Sequence, residues 1–213
     1  MSFKKLLTVL ICLAALSGTA QAQDAYPTIK FGLNFSSMSN TTYLHEHTSG
    51  NIKISEPMVG TELMFEYLVF EHVGFDIDYT ISPYERNYAL EVGGTNVATN
   101  AKESASYFAY GVNLYFDKAY RKGLTFWTGV STGVLNVSHE FEGGELDGKN
   151  SSDSMNLQIY RLGFDWVTTL AGMRFRYQYQ VGEATNTKGL VNLERQQMDY
   201  TGSTYSVGVY MFF

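Results

Sequence analysis

Cysteine, proline and long apolar runs are what this 213-residue sequence has least of. Its one cysteine, Cys12, lies near the start, so the remainder carries no thiol and no disulfide framework. Ile11 stands before it, where a lipoprotein anchor would need a small residue. No apolar stretch approaches the roughly 20 residues that a membrane-crossing helix requires. Lys and Arg number 15 against 21 Asp and Glu, a net charge of −6. That balance argues against nucleic acid or anionic headgroups as the main partner.

What is present is aromatic and glycine-rich: 16 Tyr, 14 Phe and 20 Gly. Mean hydropathy is only −0.14. A helical membrane protein would be far more hydrophobic, whereas a transmembrane barrel gives only every second strand residue to lipid. The opening residues, with Lys4 and Lys5, an apolar run from Leu6 to Leu16 and the small-residue site Ala20-Gln21-Ala22, have the form of a secretory signal. Residues 1–22 are therefore expected to be removed, leaving a barrel over 23–213.

Period-2 alternation dominates the rest. Strands are predicted at about Thr28–Ser36, Val59–Val69, Gly74–Ser82, Ser104–Phe116, Leu124–Val134, Leu157–Trp166, Met173–Val181 and Tyr205–Phe213. Long polar connections, roughly Ser37–Met58, Pro83–Glu103, Ser138–Asn156 and Gly182–Tyr200, alternate with short turns near Glu71, Asp117 and Thr168. The expected fold class is all-β: an eight-stranded antiparallel up-and-down transmembrane β-barrel, with long loops outside the cell and short turns in the periplasm.

Alternation alone does not separate this from a soluble ligand-binding barrel with its apolar face inward. Volume does. An eight-stranded lumen is only just wide enough for side chains, and dozens of Phe, Tyr, Leu, Ile and Val would not fit there. The opposite face, rich in Gly, Ser, Thr and Asn, would. Tyr67, Phe75, Phe116, Phe126, Trp166, Phe175 and Phe213 fall near the periplasmic strand ends, where an interfacial girdle belongs.

The inward face collects Lys30, Glu62, Glu66, Asp76, Asp78, Arg161, Asp165, Arg174 and Arg176, four cations and five anions. Charges in a narrow lumen must be paired, so a salt-bridged plug is expected; an ion path or proton relay is the functional alternative. Asp76 and Asp78 have the form of an acid/base pair, but no substrate would reach them. His45, Glu46 and His47 in the first loop and His139-Glu140 in the third are candidates for metal binding or catalysis. A metal needs three or four converging ligands, so these read as solvated loop residues. Glu140, Glu142, Glu145, Asp147 and Asp153, interleaved with glycines, suggest weak calcium or lipopolysaccharide-bridging cation binding, against the plainer reading of a solvated loop. No cofactor is expected.

The mature pattern resembles the small outer-membrane barrel families, OmpA/OmpX-like and PorT-like. The opening strand Lys30-Phe31-Gly32-Leu33-Asn34-Phe35-Ser36 is similar to the Lys-x-Gly-x-Asn-x-Ser strand of PorT-like barrels, and Phe213 matches the terminal aromatic that the barrel assembly machinery reads in such proteins. The resemblance implies location in the outer membrane of a Gram-negative bacterium, contact with its lipid and lipopolysaccharide, a monomer, and a surface or secretion-complex partner for the loops. This sequence holds no counterpart of the soluble peptidoglycan-binding domain of OmpA, so that role is not carried over. The leading expectation is a non-enzymatic structural or surface module. The alternatives are a narrow channel, or a lipid A-modifying or proteolytic enzyme at the outer rim, for which the residue types are present but no motif.

Overall fold

The computed structural model describes residues 28–40, 42–47, 50–54, 57–92, 95–186 and 196–213. The expected signal sequence, 1–22, lies outside them. Twelve strands follow in order: β1 (Ile29–Asn40), β2 (Thr42–His47), β3 (Gly50–Ile54), β4 (Met58–Phe70), β5 (Val73–Val92), β6 (Thr95–Tyr115), β7 (Gly123–Glu142), β8 (Asn150–Val167), β9 (Ala171–Val181), β10 (Glu183–Asn186), β11 (Gln196–Asp199) and β12 (Gly202–Phe212). One 3-10 turn, Gly144–Leu146, sits between β7 and β8. Eight of the strands close into an antiparallel barrel in the order β1-β12-β9-β8-β7-β6-β5-β4, the architecture that the alternation predicted.

The seam joins β1 to β12 in unbroken register from Lys30↔Phe212 to Asn40↔Gly202. Phe213 extends it: its N–H donates to the Ile29 carbonyl at 2.9 Å and its own carbonyl accepts from Thr28 and Ile29. Closure leaves no open edge within the membrane band, which is what allows a sheet to span lipid.

The membrane band is the part of the wall whose outer face is apolar. Leu33, Phe35, Phe75, Tyr79, Phe108, Tyr110, Leu114, Phe126, Val130, Leu162, Trp166, Tyr205 and Val209 all face outward and exposed. Outward threonines inside this band are satisfied by the wall itself: Thr128 and Thr132 hydroxyls donate to the carbonyls of Arg161 and Leu157, both at 3.0 Å. At the short turns, Glu71 accepts from Lys118 Nζ at 2.8 Å and from the Tyr120 hydroxyl at 2.5 Å. These two bonds hold its carboxyl below the ordinary glutamate value.

The structure corrects the loop assignments. Most of Pro83–Glu103 and of Ser138–Asn156, read from sequence as long loops, is strand: β5 and β6 run on to Val92 and back from Thr95, and β7 and β8 to Glu142 and back from Asn150. Proline does not end β5. Pro83 faces outward where the β5–β6 register slips between Tyr79↔Phe108 and Tyr84↔Ala105, a bulge that spares the ladder the missing donor. The first and fourth connections contain the hairpins β2–β3 and β10–β11. These continue β1/β4 and β9/β12 upward. With β10 against β8, β11 against β2 and β3 against β5, they complete the wall above the membrane band.

Candidate functional site: ion-paired tiers inside the barrel

All nine lumen charges singled out from the sequence are buried inside the barrel wall, and the structure sorts them into two tiers. The lower tier gathers Lys30, Glu66, Asp165 and Arg174. Cross-strand register starts the sorting, since Lys30 faces Glu66 and Asp165 faces Arg174 directly. The two pairs then meet across the lumen. Lys30 Nζ lies 3.1 Å from Asp165 and 3.4 Å from Glu66. Arg174 reaches Glu66 and Asp165, each at 2.9 Å.

The remaining carboxylate lone pairs are met by neutral donors. Asn113 Nδ2 donates to Glu66 at 2.8 Å, the Tyr115 hydroxyl to Glu66 at 2.7 Å, Trp127 Nε1 to Asp165 at 2.9 Å and the Tyr210 hydroxyl to Asp165 at 3.1 Å. The cations stack on the same rings: Lys30 Nζ is 4.1 Å from the Tyr115 centroid and Arg174 is 4.5 Å from that of Trp127. Two cations and two anions, each charge-assisted and ring-packed, make a compact neutral block.

Glycine makes room for it. A Cβ at Gly74 would come within 2.3 Å of Glu66 Oε1, and one at Gly163 within 2.4 Å of the Trp127 ring. The small residues on the inward face are the space into which the large ones on neighbouring strands lean.

The middle tier holds Glu62, Asp76, Asp78, Arg161 and Arg176. Arg161 on β8 forks across the lumen to β5, pairing with Asp76 through Nη1 and with Asp78 through Nη2 at 2.6 Å. Arg176 pairs with Asp78 at 2.7 Å and with Glu62, while its Nε donates to Ser206 at 3.1 Å. The Tyr84 hydroxyl donates to Glu62.

A third tier went unseen in the sequence. Above the membrane band, Arg86 on β5 grips Glu103 on β6 with three bonds of 2.8 to 3.0 Å, and Tyr200 donates to the same carboxylate. His139, expected in a solvated loop, instead lies on β7, fully buried, with Nε2 3.5 Å from Glu103 and its ring stacked on Phe141. Burial alone would raise the Glu103 carboxyl; His139, Arg86 and Tyr200 outweigh it and hold the group down at about 2. The signal that could have shown this tier is the alternation Tyr84-Arg86-Tyr88 against Pro83-Glu85-Asn87, which keeps its period past the proline.

Ser151, His139 and Glu103 face one another in direct register on three adjacent strands. The Ser151 Oγ to His139 Nδ1 separation is 3.4 Å and the carboxylate is already held by Arg86. The cluster packs the wall above the membrane band. His45 and His47 fall on β2, and their side chains lie outside the described set. Among the described residues, no three His, Cys, Asp or Glu side chains are placed to hold a metal ion. Of the third-loop acids, Glu140, Glu142 and Asp153 are strand residues, with the first two on the outward face, while Glu145 sits in the 3-10 turn and Asp147 accepts from the Gly143 N–H at 2.7 Å.

No protein-family profile and no curated protein matches the chain in sequence. Solved structures match it in fold. The outer membrane protein OprG of Pseudomonas aeruginosa superimposes with a TM-score of 0.62 at 13% identity, covering 88% of this chain and 96% of that one. Neisserial surface protein A aligns at a TM-score of 0.48 and 15% identity over 86% of this chain and 97% of its own, and Ail of Yersinia pestis at 0.46 and 10% over 88% and 100%. The OprG superposition, with the closed eight-stranded sheet, shows that the chain has the fold of the small eight-stranded outer-membrane β-barrels.

Proposed function

We propose that the chain resides in the outer membrane as a non-catalytic, closed barrel whose role is carried by its extracellular wall, as a structural component or a surface-interaction module. The membrane band supports the location: an apolar outer face about a charged lumen is the reverse of a soluble barrel. The observation that carries the closed state is the lower tier, where Lys30, Glu66, Asp165 and Arg174 meet across the lumen with all four side chains at most 2% exposed. Opening a path there means separating buried ion pairs, which is strongly unfavourable.

Planar-bilayer recording of the refolded protein tests this. The wild type is expected to show no resolvable unitary current, and Arg174→Ala, which removes the hub of the lower tier, to show flickering current. Steady wild-type conductance would overturn the closed state and favour a narrow channel. The rim-enzyme reading has its own check: lipid A from cells with and without the protein is expected to be identical.

A further inference from the structure

We propose that the middle tier binds one monovalent cation from solution, held between Asp76 and Asp78 inside the membrane band. The inference rests on the closed-barrel reading and begins with a count. The lower tier balances, Lys30 and Arg174 against Glu66 and Asp165. In the upper one, among the described residues, Arg86 is set against Glu103. The middle tier does not balance: Glu62, Asp76 and Asp78 face only Arg161 and Arg176, and all five are buried. Among the described residues, no other cation pairs with these three acids. An uncompensated carboxylate in such surroundings is costly, and the molecule needs one further positive charge there.

The unmatched oxygens of the tier show where and of what kind. Oδ2 of Asp76 and of Asp78 is taken by guanidinium donors, while Oδ1 of each is buried with no partner. A third oxygen, the Tyr107 hydroxyl, is also buried and without a partner. Its ring stacks on that of Tyr84, 6.2 Å between centroids, and the Tyr84 hydroxyl donates to Glu62 of the same tier. The tier thus has an excess of negative charge together with buried oxygens that lack partners. A proton shared between the Oδ1 atoms of Asp76 and Asp78 would settle the charge but leave the Tyr107 hydroxyl and Arg161 Nε without partners. A cation with its waters settles both, since oxygen is what a hard cation coordinates, and a water bound to it gives Arg161 Nε, also unpartnered, its acceptor. Two carboxylate oxygens and one hydroxyl suit a singly charged ion better than a divalent one, which would overcompensate a single negative charge.

The test uses the full mature chain refolded in detergent. Crystals grown in thallium(I) are expected to show anomalous density between Asp76 and Asp78, and none there in Asp76→Asn. In solution, the wild type is expected to melt several degrees higher in potassium than in N-methylglucamine at equal ionic strength, with Asp76→Asn indifferent to the exchange. Absence of thallium density together with a carboxylic-acid infrared band that Asp76→Asn removes would overturn the cation in favour of a proton. Loss of stability in Asp76→Asn with no cation dependence in the wild type would show the tier already balanced and overturn it as well. Failure of the closed-barrel reading would appear separately, as current in the bilayer assay.

Discussion

The same strands are built in opposite senses below and above the top of the membrane band. On β8, Tyr160, Leu162 and Trp166 face out and Arg161 and Asp165 face in; a few residues nearer the tip, Met155, Leu157 and Ile159 face in and Asn156 and Gln158 face out. β7 inverts likewise, from outward Val130 and Val134 to inward Leu135 and Val137. Between these two strands register and parity do not break at the crossing; only the surroundings change. Lipid rewards apolar side chains on the outer face and leaves polar ones to the lumen. Water does the reverse, and the upper barrel packs Met38, Met58, Ala105, Leu135, Val137, Met155, Leu157 and Tyr200 into a core like that of a soluble domain. One closed wall therefore houses an ionic interior and, on top of it, a hydrophobic one.

The comparison is broken most severely at its ionic end. Arg174→Ala leaves Glu66 and Asp165 buried with Lys30 alone, and should cost about 3–5 kcal/mol, the range for opening a buried pair. Urea unfolding in lipid vesicles, followed by loss of the faster-migrating unboiled band on gels, checks it; an unchanged midpoint would show that the lower tier is not structural.

Next is a matched pair of leucines. Leu135→Ala, in the water-surrounded core, should cost about 2–5 kcal/mol as a cavity. Leu162→Ala, on the lipid face, exchanges one apolar contact for another as acyl chains move in. It should fall below the Leu135 loss in the same vesicle assay, and equal losses would place the upper boundary of the membrane band wrongly.

The upper tier should respond to acid. Because the folded Glu103 pKa is depressed to about 2 from an ordinary 4.5, its contribution is fully present above the unfolded value and disappears as pH falls from there toward 2. Glu103→Gln should flatten that part of the stability curve, measured by tryptophan fluorescence during acid titration.

The smallest effect belongs to the outer face above the membrane. Ser138→Ala should change stability by no more than about 0.5 kcal/mol, as for surface positions in general. Its bond to Ser104 is replaced there by water.

Much of this is legible in the amino-acid sequence. Apolar residues at every second position, too many to fit a narrow lumen, determine a membrane barrel with eight strands, and the inward charges Lys30, Glu62, Glu66, Asp76, Asp78, Arg161, Asp165, Arg174 and Arg176 follow from parity alone. Parity does not say which charge meets which, because Asp76 and Arg161, or Glu66 and Arg174, come together only when the wall curves and brings opposite strands face to face. Nor does it say where the strands stop. Reading apolar as outward ends β5 at Pro83 and β7 before Ser138, since there the hydrophobic sign changes while the backbone continues. The sequence determined the period and the inward set; closure of the barrel decided the partners, and the medium outside each stretch of wall decided which face was greasy.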